Sequence, residues 1–111
     1  MKKKTITVPK EVADRIEKAI DWKIGDNEDA RLTEDETITY TARFDDGVEV
    51  DIKCCGCEVD EFLEENGAWT EAVMFKDGCE VACSDVEEEF FGEWELFHGK
   101  EKYCVDVVIG E

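Results

Sequence analysis

The six cysteines of this chain come closer than any other residues to the spacing of a chemical site. Cys54 and Cys57 form a C-x-x-C pair, and Cys79 and Cys83 form a C-x3-C pair. Four thiolates spaced in this way could hold one zinc ion in a tetrahedral site. The alternative is that Cys54 and Cys83 are small apolar residues at strand ends, because free cysteine is among the most buried residue types. Residues 79–83 alternate like a strand, which favours packing, and we predict no cofactor.

Catalytic groups are harder to find. His98 is the single histidine, and it falls in a predicted turn with no serine or cysteine beside it to activate. A thiol redox site needs its C-x-x-C at the start of a helix that follows a strand, and the sequence around Cys54 does not have that setting. Among 31 acidic residues, no two stand out as a general acid and base. We therefore expect a protein that is not an enzyme.

The charge of the chain is extreme and unevenly distributed. The net charge is −18, yet residues 1–23 carry seven basic and four acidic side chains, whereas residues 24–111 carry six basic and 27 acidic ones. Such a body repels the phosphates of a nucleic acid, which disfavours direct nucleic-acid binding. It attracts a basic protein surface, above all one built to hold nucleic acid.

The elements that would position these acids are easiest to recognise in residues 36–54. Residues 36–44 and 48–54 alternate apolar and polar side chains with the period of half-buried strands. Asp45-Asp46-Gly47 between them is a hairpin turn signal. Residues 72–75 and 79–83 flank a second turn at 76–78. Two further alternating segments, at 94–96 and 103–109, flank a third turn at 98–101.

Helical signals are fewer. Pro9 suits a first helical turn, and Val12, Ile16, Ala19 and Ile20 then recur on one stripe, so the sequence predicts an amphipathic helix over about 9–23. Residues 55–67 read either as a short helix or as an acidic loop. Residues 84–87 have the spacing of a capping box, which would open one or two turns reaching 90–91.

Together these signals predict a single domain, 1–111, of the α+β class. Consecutive hairpins indicate an antiparallel sheet of about five to six hairpin-connected strands, with the N-terminal amphipathic helix packed on one face. No apolar run approaches the roughly 20 residues of a membrane span, and no apolar segment follows the lysines at 2–4 to make a signal peptide. We expect a cytoplasmic protein with reduced thiols.

On this scaffold the carboxylates fall mainly on outward strand faces, turns and loops. At alternate positions of a strand they lie about 6.6 Å apart, close to the phosphate spacing along a nucleic-acid strand. A surface of this kind could occupy a groove lined by lysine and arginine. The predicted partner-binding residues are Asp45, Asp46, Glu49, Asp51, Glu58, Asp60, Glu61, Glu64, Glu65, Glu87, Glu88, Glu89, Glu93 and Glu95.

Small size, strong acidity, a basic N-terminal start and an α+β fold make the chain resemble the nucleic-acid-mimicking inhibitors of phages and mobile elements, which include anti-CRISPR and anti-restriction proteins. The segment 35–47 (Asp-Glu-Thr-Ile-Thr-Tyr-Thr-Ala-Arg-Phe-Asp-Asp-Gly) also looks like that of small proteins in bacterial mobile elements. These inhibitors share no common motif, so the resemblance assigns no residue a role. It implies that the target of such a protein is a basic surface of a nuclease, such as the PAM-reading or guide-binding surface of a Cas nuclease.

The leading hypothesis is therefore a non-enzymatic, acidic inhibitor or binding protein. Its partner would be a basic nucleic-acid-handling protein, either a nuclease or a nucleoprotein complex. Two alternatives remain open at this level. The first is a cytosolic accessory interaction domain whose acidic surface only solvates it, and the second is a zinc-binding module that uses the cysteines.

Overall fold

The structure of the protein is a computed structural model that describes residues 2–20, 32, 36–56, 68–84 and 89–110. Strands make up 64% of these residues and the helix 14%, so the described part of the chain is mainly β. The elements, in chain order, are β1 (Lys2–Val8), α1 (Lys10–Ile20), β2 (Thr37–Arg43), β3 (Val48–Cys55), β4 (Trp69–Lys76), β5 (Cys79–Cys83), β6 (Gly92–His98) and β7 (Glu101–Ile109).

The hairpin of β2 and β3 forms as predicted. Thr37 opposes Cys55 at one end of the ladder and Arg43 opposes Glu49 at the other. Asp45 and Asp46 make the turn, and Gly47 follows with a φ of +84°, a conformation that glycine adopts without a steric cost. The turn is therefore set by local sequence, and it holds the predicted strands in their predicted pairing.

The other two predicted hairpins also form. β4 pairs antiparallel with β5 through a turn at Asp77 and Gly78, both with positive φ, as a two-residue hairpin turn requires. A β-bulge lies in this ladder at Met74 and Phe75, where the register shifts. β6 pairs antiparallel with β7 through a turn at residues 99–100.

The prediction of one antiparallel sheet of five to six strands, with a helix packed on it, is wrong. The seven strands within the described residues form two sheets, one ordered β1-β7-β6 and the other β2-β3-β4-β5. β1 is the strand that the prediction lacked, and it runs parallel to β7 with Ile6 opposite Val107. This pairing joins the two ends of the chain without a tight turn, so no local signal announces it.

The two sheets share one interior. β1 lies beside β2, and β5 lies beside β6, although the described residues form no ladder across either junction. The strands thus follow one another around a single apolar core. Its fully buried side chains include Val8, Ile16, Val48, Val50, Ile52, Met74, Phe90, Val105 and Val107.

Helix α1 covers Lys10–Ile20 of the predicted 9–23, and residues 21–23 lie outside the described residues. Ala13, Ile16 and Ala19 form its buried face. The Arg15 guanidinium pairs with Glu36 at 2.7 Å, and the Ala19 carbonyl accepts a hydrogen bond from the Ala68 amide at 3.1 Å. Glu36 directly precedes β2 and Ala68 directly precedes β4. The helix therefore covers the end of the core opposite the β2–β3 turn.

Two predicted helical segments fall largely outside the described residues, at 57–67 and 85–88. Residues 89–91 belong to no helix, so the predicted helical turns do not reach Phe90. Phe90 is instead a core residue, and its carbonyl accepts a hydrogen bond from the Trp94 indole at 3.0 Å. No helix within the described residues is both long and apolar enough to cross a membrane.

Candidate functional site

Half of the predicted partner-binding acids lie in the described parts of the chain. Asp45, Glu49, Glu89, Glu93 and Glu95 are exposed, whereas Asp46 and Asp51 are half-buried. The other seven, Glu58, Asp60, Glu61, Glu64, Glu65, Glu87 and Glu88, lie outside the described residues. Five of these seven acids lie in three places, which differ in how far the protein itself neutralises their charge, and Asp45 and Glu89 belong to none of the three.

The outer face of the three-stranded sheet carries acids that are already paired. The Lys102 ammonium lies 2.8 Å from a Glu95 carboxylate oxygen, and the Lys3 ammonium lies 3.6 Å from one of Glu93. The contact with Lys102 lowers the pKa of Glu95 and raises the pKa of the lysine. Glu93 and Glu95 therefore have counter-ions from the protein itself, whereas Asp106, which opposes Glu93 on this face, has no ion pair within the described residues.

Cys104 lies on the same face, and its sulfur and the carboxylates of Glu93 and Glu95 are within 4.8 Å of one another. This is the one group of three potential metal ligands among the described residues. Burial raises the pKa of the Cys104 thiol, which disfavours the thiolate that a metal would need. Because both carboxylates also have lysine partners, the group is better described as a packed, ion-paired cluster.

The cysteines that suggested zinc do not meet within the described residues. Cys54 is buried in the core, as the packing interpretation predicted. Cys79 and Cys83 are exposed on β5, so the interpretation of Cys83 as a core residue is wrong. Cys83 opposes Val73, whereas Cys54 opposes Thr70 across a different ladder. Cys57 lies outside the described residues.

Asp46 occupies the second place, the end of the core opposite the helix. Its carboxylate accepts a hydrogen bond from the Tyr103 hydroxyl at 2.5 Å and pairs with the Lys2 ammonium at 3.0 Å. The hydrogen bond from Tyr103 has the largest effect and the contact with Lys2 the next largest, and together they hold the pKa of Asp46 well below its usual range. The Lys76 ammonium donates to the Asp46 backbone carbonyl. Asp46 therefore links β1, β4 and β7 to the β2–β3 turn.

The third place is a depression of about 510 Å³ on the outer face of the four-stranded sheet, beside the two turns at its end. Glu49 and Asp51 are alternate residues of β3, so their side chains share one face, and Phe75 opposes Glu49 on β4. The Asp77 amide donates to the Gly47 carbonyl at 3.1 Å, which holds the turns together. The depression is lined by Gly47, Glu49, Asp51, Phe75, Asp77 and Gly78.

The carboxylates of this depression are only partly neutralised. The Arg43 Nε lies 3.4 Å from Glu49, and the Arg43 side chain is 74% exposed. Asp51 accepts a hydrogen bond from the Thr41 hydroxyl at 2.7 Å, which fixes its orientation without cancelling its charge. Asp77 has no ion pair within the described residues. The site therefore combines excess negative charge with one half-buried aromatic ring.

The sequence-based list of partner-binding residues includes Glu49 and Asp51 but not Phe75 or Asp77. Signals for both were present, because the strand pattern included Phe75 and the turn at 76–78 included Asp77. What the sequence lacked was the ladder register that brings β3 and β4 side by side. His98, in contrast, is exposed at the end of β6 opposite Glu101 and belongs to none of these three places.

This depression combines a concave shape, an aromatic ring and carboxylates that keep a net negative charge. Such a surface attracts cations through its carboxylates. The chain matches no known family model, no curated protein and no solved structure. Its function is therefore inferred from its own residues.

Proposed function

We propose that this protein is a non-enzymatic acidic inhibitor that binds the basic, nucleic-acid-binding surface of a nuclease or nucleoprotein complex. The observation that carries the proposal is the separation of charge from the core. Thr70 is the one polar residue buried among the described residues, so every described charged side chain lies at least partly at the surface. The described residues thus present 16 acidic and 11 basic side chains at the surface of an apolar core, and the net charge of −18 is that of the whole chain.

The scaffold gives the acids a regular spacing. Glu49 and Asp51 are separated by two positions of one strand, which corresponds to about 6.6 Å along β3. That repeat is close to the spacing of phosphates along a nucleic-acid strand. A groove that binds phosphates through lysine and arginine can therefore bind this face instead, and the bound protein would exclude the nucleic acid.

Electrostatic attraction would dominate the encounter. A body as acidic as this one is drawn to a basic cleft over distances near the Debye length, about 8 Å at physiological salt, so association is fast and weakens as salt rises. The resemblance to anti-CRISPR and anti-restriction proteins supports the same class of partner. Exposed thiols at Cys79 and Cys83 suit a reducing cytoplasm, which is where we place the protein's action.

The proposal is tested by binding to purified proteins. The panel is a Cas nuclease, a restriction endonuclease and a basic protein of similar charge that does not bind nucleic acid, each titrated at increasing salt. We expect tight, salt-sensitive binding to at least one nuclease, and loss of that binding when the nuclease already holds its nucleic acid. Equal, weak binding to all three proteins would contradict specific mimicry.

The second candidate is an accessory domain whose acidic surface only keeps it in solution. The lysine pairing of Glu93 and Glu95 supports that interpretation for the three-stranded sheet. It predicts that reversing the charge of exposed acids changes solubility but no binding. The same titrations with charge-reversed variants distinguish the two candidates.

A further inference from the structure

We draw no further inference here: the strongest candidate, the edge of β2 beside β1, where the inward-facing Ile38 and Tyr40 are only half-buried, is an unpartnered apolar edge, and nothing within the described residues shows what covers it.

Discussion

The Tyr103 hydroxyl donates a 2.5 Å hydrogen bond to the Asp46 carboxylate, although the two residues are separated by 57 positions in the chain. Asp46 lies in the turn of one sheet and Tyr103 lies on β7 of the other. The Tyr103 ring also contacts Phe44 edge to face, with centroids 5.0 Å apart. This pair therefore connects the two sheets at the end of the core that the helix leaves uncovered.

The tyrosine should titrate at unusually high pH. The hydrogen bond to Asp46, followed by burial, raises the pKa of Tyr103 to about 12 from 10.0. The chain has two tyrosines, so the variant Tyr40→Phe leaves Tyr103 as its single phenol. In that variant, absorbance of the phenolate should rise with a midpoint near pH 12. Adding Asp46→Asn should move the midpoint back toward 10, and an unchanged midpoint would contradict the contact.

The same pair predicts a dependence of stability on acid. The folded-state pKa of Asp46 is lowered from 3.8, so its contribution is present above that value and is lost as the pH falls below it. At pH 6 the wild type should melt about 5 °C above Asp46→Asn. The difference should shrink steadily below pH 4. Thermal melts of both proteins across this range measure it, and a constant difference would show that Asp46 is not ionised in the pair.

The two hairpin turns of the four-stranded sheet should respond differently to added side chains. Gly47 and Gly78 both have positive φ, so alanine at either position costs about 1 kcal/mol from backbone strain. A Cβ at Gly47 would also lie 2.5 Å from the Asp77 carboxylate, whereas one at Gly78 meets nothing within 4 Å. Denaturant unfolding should therefore show a loss of about 2 kcal/mol for Gly47→Ala and about 1 kcal/mol for Gly78→Ala.

The control for this prediction removes the neighbouring side chain. In an Asp77→Gly background, the cost of Gly47→Ala should fall to that of Gly78→Ala, because only the backbone strain remains. If the cost of Gly47→Ala is the same with and without the Asp77 side chain, the two turns do not pack as the structure shows.

The sequence predicted the parts of the fold that neighbouring residues determine. Alternation and the Asp-Gly turns located the three hairpins, because each turn brings together strands that are adjacent in the chain. Asp46 was predicted to be an acid in a turn that binds the partner. Its partners Tyr103 and Lys2 come from the two ends of the chain, so its structural contacts could not be read from its neighbours.

The strand β1 was missed for the same reason. Ile6 and Val8 alternate with Thr5 and Thr7, but three lysines precede them and no hairpin partner follows. The partner, β7, is the last described strand of the chain.

The candidate site was half predicted, since the alternation of apolar and polar residues in β3 identified Glu49 and Asp51 as outward-facing acids. Only the register of β3 with β4 places Phe75 beside them.

The packing of β1 against the core is testable by placing a charge on each face of the strand. Val8 is fully buried and Thr7, its neighbour, is exposed. Val8→Asp buries a carboxylate among apolar side chains and should lower the free energy of unfolding by more than about 3 kcal/mol. Thr7→Asp should lower it by about 1 kcal/mol or less. If denaturant unfolding shows that both variants lose a similar free energy of unfolding, β1 does not bury the face of Val8 against the core.

Thiol reactivity should separate the cysteines by their place in the sheets. Cys79 and Cys83 are exposed on β5, whereas Cys54 and Cys104 are buried and burial raises the pKa of the Cys104 thiol. Alkylation of the native protein, mapped by mass spectrometry, should modify Cys79 and Cys83 within minutes. Cys54 and Cys104 should react only on the timescale of unfolding, since the thiolate is the reactive form and needs solvent access.

A chelator provides the control for this experiment. If Cys79 and Cys83 are free, their alkylation rates are the same with and without chelator, because no ligand has to be released before they react. Protection of both thiols that disappears on adding chelator would restore the zinc alternative. The metal ligands would in that case include the Cys79 and Cys83 thiolates of β5. Cys54 could be a further ligand only by leaving the core, where its side chain is fully buried.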